Sequence, residues 1–226
     1  MKYPISLSLL AATVLIACHP TGEPVSQEGI SLGDYFDPEQ VEELKTLIQH
    51  FDREICGNDC KSPQQIKTHY TKHFKQVYTT AQAGNLSVHF DTQALLAALS
   101  ESTFHRIWHC TMGKEKNSRH VYPATYTSRP FIHLHPTGPY YEFLRDYAST
   151  SANSAVRQYW QDYSPTNSNT PTAVAHLLTA YDTLDYEQPA TRLLVAIYYL
   201  SVEFNFHPIN SAKLARCSAP AASPER

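Results

Sequence analysis

The sequence predicts an all-α protein in which six or seven helices form a single bundle around a buried C-terminal helix, with one long ordered loop. Three observations favour this class. Apolar residues recur at helical spacing, several of these segments begin with a helix start signal, and the segment from Gln188 to Phe206 is apolar nearly all round, as a central helix is. A hydrophobic fraction of 42% is sufficient for one filled core.

The first two helices have clear start signals. Asp37 precedes Pro38, and Gln40 lies three residues after Asp37, which is a capping-box arrangement. Ser62 and Pro63 repeat the start signal for the second helix. The predicted core faces are Val41, Leu44, Leu47, Ile48, Phe51 and Ile55 in the first helix and Ile66, Tyr70, Phe74, Val77, Tyr78 and Ala81 in the second.

A third helix is predicted from Asp91, as N-cap, to about Cys110, after a short extended piece from Leu86 to Phe90. Later helices are expected at Pro139–Tyr147, at Ser154–Tyr163, from Thr170-Pro171 onwards, and at Gln188–Phe206. The last of these approaches the length of a membrane span. Arg192, Glu203 and Asn205 lie within it, so a buried core helix is favoured.

Helical periodicity disappears from Thr111 to Thr137, where glycine and proline recur. A loop of this length in a compact domain is usually functional or disordered. Its aromatic residues, Tyr122, Tyr126 and Phe131, favour an ordered loop.

The N-terminus has the pattern of a secretory signal, since Lys2 is followed by an uncharged apolar run that ends in small residues. The residues Leu15-Ile16-Ala17-Cys18 resemble the lipobox of bacterial lipoproteins. The resemblance implies export, cleavage before Cys18 and a lipid anchor on its sulfur. An ordinary signal peptide with an incidental cysteine is the alternative. His19 is not the aspartate that retains lipoproteins in the inner membrane, so the resemblance implies the outer membrane, facing the periplasm.

The predicted organisation is a signal peptide at residues 1–17, a flexible tether at 18–33, one domain at 34–217 and a disordered tail at 218–226. The formal net charge is −3, and loss of Lys2 with the signal makes it −3 − 1 = −4. A nucleic-acid partner is therefore disfavoured. The expected partners are a membrane, through Cys18, and a protein or the cell wall.

Four cysteines remain after Cys18, and export would place them where disulfides persist. Three connectivities are possible. The favoured one pairs Cys56 with Cys60, across a short turn sequence, and Cys110 with Cys217. A thiolate metal site is the alternative, but the spacing resembles no zinc ribbon or knuckle.

Histidine is unusually frequent, with 12 residues. Two pairs, His69/His73 and His105/His109, have the i, i+4 spacing that places two imidazoles on one helix face. Glu101 precedes His105 by four residues, and the loop adds two further histidines around Leu134. The candidate metal ligands, for zinc or a similar ion, are Glu101, His105, His109, His133 and His135. The alternative is that these histidines occupy a solvated or structural face, because no complete metal motif is present.

The segment Glu101-Ser102-Thr103-Phe104 resembles the Glu-Ser-x-Phe segment at the catalytic glutamate of lytic transglycosylases. The Gly-Leu-Met-Gln-type segment that follows in that family is missing, since residues 109–113 read His-Cys-Thr-Met-Gly. The resemblance covers four residues alone, and it implies a peptidoglycan lytic enzyme.

Two further features indicate buried charge and binding. Glu203 lies in the most apolar helix, where it needs a partner such as Arg192, His207 or an arginine of the loop. Tyrosine and arginine carry much of the energy of protein interfaces, although tyrosines also cover helical bundles. The candidate binding residues are Arg119, Tyr122, Tyr126, Arg129, Tyr140 and Tyr141.

The sequence therefore favours a membrane-anchored, non-enzymatic envelope lipoprotein that binds a protein or cell-wall partner through residues 111–141. The alternative is a metal-dependent hydrolase built on the histidines and Glu101. A third possibility is that the histidines sense mildly acidic pH. No phosphate-binding loop, nucleophile elbow or Cys-His nucleophile arrangement is evident, and whether the chain is an enzyme is left open.

Overall fold

The computed structural model describes residues 30–82, 90–116, 126–167, 171–206 and 215–217. Within these ranges the chain is mostly helical and has one two-stranded antiparallel sheet, so the all-α prediction is corrected in this respect. A 3₁₀ turn at Leu32–Asp34 comes first. The helices are α1 (Pro38–Cys56), α2 (Pro63–Gln82), α3 (Thr92–Ala97), α4 (Glu101–Ile107), α5 (Pro139–Thr150), α6 (Ser154–Tyr163), α7 (Pro171–Thr179) and α8 (Pro189–Phe206), and the strands are β1 (Trp108–Lys116) and β2 (Tyr126–Leu134).

The first two helices begin where the sequence predicts. The Asp37 side chain accepts from the backbone N–H of Gln40, and the Gln40 side chain caps the Asp37 N–H in return. This arrangement satisfies two donors that the first turn of a helix leaves without partners. Most of the predicted core faces of α1 and α2 are buried, and Phe51, Tyr70 and Phe74 pack ring against ring.

The predicted third helix is wrong in extent, because the structure divides the segment into α3, α4 and the start of β1. Ser100 has extended backbone angles, and its side chain accepts from the Thr103 N–H, so it begins a new helix. At Trp108 the backbone becomes extended again. From this residue onwards, successive side chains point to opposite faces of the sheet, and this period of two residues is the signature of a strand.

The predicted long loop is instead largely a β-hairpin. Trp108 pairs with Leu134, His109 with His133 and Cys110 with Ile132, and the ladder continues to the pair of Lys116 with Tyr126. One face of its base, formed by Trp108, Ile132 and Leu134, is buried in the core. The opposite face carries His109 and His133.

The C-terminal helix lies at the centre of the fold, as the sequence predicts. All residues from Leu193 to Phe204 of α8 are buried. Inside the core, the Trp108 indole N–H donates to Ser201 Oγ at 2.9 Å. None of the helices in the described ranges has both the length and the apolar character needed to cross a bilayer.

Both favoured disulfides are confirmed. Cys56–Cys60 closes the turn between α1 and α2, and Cys110–Cys217 joins β1 to the end of the chain across 107 positions. The predicted signal peptide, Cys18, most of the predicted tether, the extended piece predicted before Phe90 and the predicted tail at 218–226 lie outside the described residues.

Candidate functional site

Four of the five predicted metal ligands gather at one end of the hairpin, although not in the way the sequence predicts. His105 and His109 are not on one helix face, because His105 lies in α4 and His109 in β1. Strand pairing brings the set together instead. The His109 ring lies 5.6 Å from that of His133 and 6.0 Å from that of His135, measured between centroids. All four side chains are half-buried.

Backbone contacts fix where these rings stand. His109 Nδ1 lies 3.1 Å from the carbonyl oxygen of Leu134. Because a carbonyl only accepts hydrogen bonds, Nδ1 must be the donor, and in the neutral ring the lone pair is then on Nε2. The backbone N–H of His135 donates to the Ile107 carbonyl at 2.8 Å, which ties the end of β2 to the end of α4.

Burial and mutual repulsion keep part of the cluster neutral. The pKa of His133 is lowered, first by burial and then by His109. The pKa of His135 is lowered by burial and by His109 and His105. Both effects disfavour the charged imidazolium, so the neutral form, which is also the form that binds metals, predominates at neutral pH.

Two features set limits on a metal site. Glu101 is exposed in the first turn of α4, and no three ligand atoms of Glu101 and the four histidines lie within 4.8 Å of one another. In contrast, the Nε2 atom of His105 is buried and has no hydrogen-bond partner. The cluster therefore has ligand-type atoms close together without a preformed coordination geometry.

The other histidine pair with helical spacing, His69/His73, borders the apolar face of α2, where packing at the edge of the core is expected. His73 packs edge-on against Phe74 and beside Phe90, and its pKa is lowered by burial. His69 has a ring nitrogen within 4.8 Å of the sulfur atoms of Cys56 and Cys60. These two sulfurs form a disulfide, so they are not thiolate ligands in this state.

The two outer edges of the hairpin differ. On β2, the Asn205 side chain accepts from the Ile132 N–H and donates to the Ile132 carbonyl, both at 2.8 Å. Tyr163 and Asn167 bond the outward N–H and carbonyl of Leu134. At its base, this edge therefore has the backbone groups of Ile132 and Leu134 occupied by side chains.

The edge of β1 is open over its middle part. In an antiparallel ladder, the backbone N–H and carbonyl groups of every second residue point away from the partner strand. Those of Ile132 point outward on β2, so those of Cys110, its partner on β1, also point outward. The same holds for Met112 and Lys114 further along β1. Within the described ranges no hydrogen bond reaches the outward backbone groups of Met112 or Lys114. The Met112 side chain is 68% exposed, and no other large hydrophobic side chain of these ranges is comparably exposed. This edge has no local signal in the sequence, because Gly113 and Pro130 are residues typical of loops. Gly113 lies directly under the Phe131 ring, and Pro130 has its ring nitrogen on the outward side, where β2 needs no N–H for pairing.

The predicted binding residues do not form one surface. Tyr140 is 0% exposed and belongs to the core, which corrects its assignment to a binding surface. Arg129 is 8% exposed and its guanidinium lies 4.5 Å from the Phe131 ring centroid. Tyr141 is half-buried beside Trp160. Arg119, Tyr122 and the side chain of Tyr126 lie outside the described part of the chain.

Of the partners expected for Glu203, Arg192 pairs with another carboxylate. Glu203 is 5% exposed in α8, whereas Arg192 pairs with Asp52 of α1, with Nε 3.2 Å from Oδ1. Tyr70 donates its hydroxyl proton to the same carboxylate. Burial is the largest influence on Asp52 and raises its pKa, against the opposing effects of Tyr70 and Arg192.

A groove of about 810 Å³ lies on another side of the molecule, between the 3₁₀ turn, α1, the end of α5 and the start of α8. None of its described lining residues is among the sequence-predicted site residues. It is assembled from segments far apart in sequence, and local patterns do not reveal such sites.

Comparison with known proteins adds no relative: no family model, no curated protein and no solved structure matches this chain.

Proposed function

We propose that this chain is a lipid-anchored envelope protein that binds an extended segment of a partner protein by adding it as a strand to the open edge of β1. Anchoring rests on the lipobox-like residues ending at Cys18 and on the apolar run before them. Binding rests on the hairpin. The observation that carries it is the middle part of the β1 edge, where the outward backbone groups of Met112 and Lys114 have no hydrogen bond within the described ranges and the Met112 side chain is exposed.

An open edge is itself a specific recognition surface. Unpaired N–H and carbonyl groups along a strand bind another extended chain through main-chain hydrogen bonds. At the base of β2, Asn205, Tyr163 and Asn167 occupy these groups at Ile132 and Leu134, which prevents pairing of another chain there. On β1, those of Met112 and Lys114 have no partner among the described residues, so this part of the edge is the place where a strand would be added.

The side chains of the open edge indicate what the partner strand would contain. Met112 is exposed and flexible, and methionine adapts to differently shaped apolar partners. Lys114 is exposed two residues further along the same edge. An extended segment with an apolar residue opposite Met112 and an acidic residue opposite Lys114 is the complement of this edge.

Site-specific crosslinking in membranes tests the binding proposal. A photoreactive residue at position 114 is expected to give one defined adduct, and the same residue at the exposed Glu39 of α1 is expected to give none. The mass of the adduct distinguishes a second copy of the chain from another protein.

A proline substitution then tests the binding mode. Met112→Pro removes an outward N–H without removing an inter-strand bond, because position 112 faces Pro130 in a pair that is not hydrogen-bonded. We expect the adduct to be lost in Met112→Pro and kept in Met112→Leu, with unchanged circular dichroism. An adduct that survives the proline would contradict strand addition.

Anchoring has its own test. Replacing Cys18 by serine is expected to abolish incorporation of labelled fatty acid and to release the protein from the membrane fraction. A variant that still fractionates with membranes after this change would contradict lipid anchoring through Cys18.

A further inference from the structure

We propose that His105, His109, His133 and His135 bind a divalent transition-metal ion of the zinc or copper class, which would join the hairpin to α4. This site is separate from the open edge of β1 and does not depend on partner binding.

The spacing of the rings is close to that of a metal site. Metal–nitrogen bonds of 2.0–2.1 Å at tetrahedral angles place the centroids of two coordinating imidazoles roughly 5 Å apart. The observed separations from His109 are 5.6 Å to His133 and 6.0 Å to His135. His109 is therefore the central member of the cluster, with one neighbour on each side.

His109 is already oriented as a ligand. Its Nδ1–H donates to the Leu134 carbonyl, so Nε2 carries the lone pair in the neutral ring. Metal-binding histidines usually have this second hydrogen bond, which fixes the tautomer and the direction of the ring. A histidine that served only as surface cover would need no such constraint.

His105 supplies the second, independent observation. Its Nε2 atom is buried and has no hydrogen-bond partner in the part of the chain that the structure describes, although buried polar atoms are nearly always paired. The backbone bond from His135 to Ile107 places His135 beside the end of α4, the helix that carries His105. An ion in that region would give the orphan nitrogen a partner.

The polar surroundings favour a cation held by neutral ligands. All four candidate ligands are imidazoles, and Glu101, the one carboxylate predicted beside them, is exposed in the first turn of α4. Neutral imidazoles suit zinc and copper rather than calcium or magnesium, which prefer oxygen ligands.

Coordination requires the rings to turn. No three ligand atoms of the cluster lie within 4.8 Å of one another. His135 would also give up a weak contact, since the Thr137 N–H donates to its Nδ1 at 3.4 Å. The backbone need not move, because strand register and the bond from His135 to Ile107 already hold the ligand-bearing positions together.

Calorimetric titration of the full-length, tag-free protein, extracted from membranes in detergent and stripped with a chelator, tests this proposal. At about pH 7.5, where imidazole is neutral, we expect one equivalent of Zn²⁺ to bind. His109→Ala and His135→Ala are each expected to weaken binding by about tenfold or more. His50→Ala, on α1, is the matched control and is expected to bind like the wild type.

Two further measurements separate this site from others. With Cu²⁺, electron paramagnetic resonance is expected to show coordinated imidazole nitrogens in the wild type and fewer of them in His109→Ala. His69→Ala tests the region beside the Cys56–Cys60 disulfide and is expected to change nothing. Absence of stoichiometric binding, or binding unchanged in the His109→Ala/His135→Ala double variant, would overturn the proposal. Crosslinking from position 114 is unaffected by either result, so failure here is distinguishable from failure of the proposed function.

Discussion

Gly138 lies where the end of α4, the end of β2 and the start of α5 meet. A Cβ atom at this position would stand 2.6 Å from the Arg106 carbonyl oxygen and 2.8 Å from the His135 Cβ. Both neighbours are held by the backbone, so Gly138→Ala is expected to destabilise the fold by about 1–3 kcal/mol. Urea unfolding measures this loss. Gly33→Ala, whose nearest contact is an ordinary 3.5 Å, is the control, and an equal loss in both variants would contradict the explanation.

His73 gives a pH dependence at the same scale. Burial lowers its pKa in the folded protein, so the unfolded chain binds the proton more readily. Its contribution to stability is therefore fully present above the unfolded pKa of about 6.5 and is lost as the pH falls below it. His73→Phe is expected to reduce the fall in melting temperature between about pH 7.5 and pH 5. At about pH 8, His73 is neutral in both the folded and the unfolded chain, so the difference in melting temperature between the wild type and His73→Phe reports packing alone. An unchanged pH profile would show that His73 does not contribute.

At the scale of elements, the Asn205 side chain bonds the backbone at the edge of β2, as a neighbouring strand would. It makes two 2.8 Å hydrogen bonds to the backbone of Ile132, at the edge of β2 that faces α8. Asn205→Ala leaves both backbone groups without partners and is expected to cost about 2 kcal/mol or more. Hydrogen exchange at the Ile132 amide should accelerate, whereas Asn58→Ala, in an exposed turn, should change neither quantity. Continued protection of the Ile132 amide would show that something else caps this edge.

The elements differ in how far their own sequence determines them. Asp37, Pro38 and Gln40 specify the start of α1 by contacts within four residues, so the start was predictable. The hairpin was not, because β1 and β2 stabilise each other across the chain and each contains a residue typical of turns, Gly113 or Pro130. The apolar residues before Trp108 also continue a helical period, which concealed the start of the strand.

For the whole molecule, the two disulfides should differ in their effect on stability. In the chain-entropy model, a bridge that closes about 100 residues contributes roughly 4.7 kcal/mol and one that closes about five contributes roughly 2 kcal/mol. The sequence separations are 107 for Cys110–Cys217 and 4 for Cys56–Cys60. Replacing the first pair by alanine is therefore expected to lower the free energy of unfolding more than replacing the second. Equal losses in denaturant titrations would contradict the loop-length argument.

The candidate site could be predicted only in part, for a reason that concerns the whole fold. The residue types and the set His105, His109, His133 and His135 were evident from composition and spacing, but strand pairing rather than a helix face brings them together. The edge of β1 at Met112 and Lys114 has no local signal, because the pairing of β1 with β2 decides which backbone groups face outward. Tyr140 was assigned to the surface because tyrosine is common in both interfaces and cores.

The indole of Trp108 makes the hairpin observable by fluorescence. The chain has two tryptophans, and Trp108 is fully buried at the first position of β1, with its N–H bonded to Ser201 of α8. Trp160 is half-buried in α6 and provides a partly solvated reference. Release of the hairpin base from α8 would expose the Trp108 indole to water and shift its emission to longer wavelength, whereas events confined to the outer part of the hairpin would leave the emission unchanged. In a Trp160→Phe background the emission therefore reports, in real time, whether a partner or a metal ion acts on the base of the hairpin or only on its exposed edge.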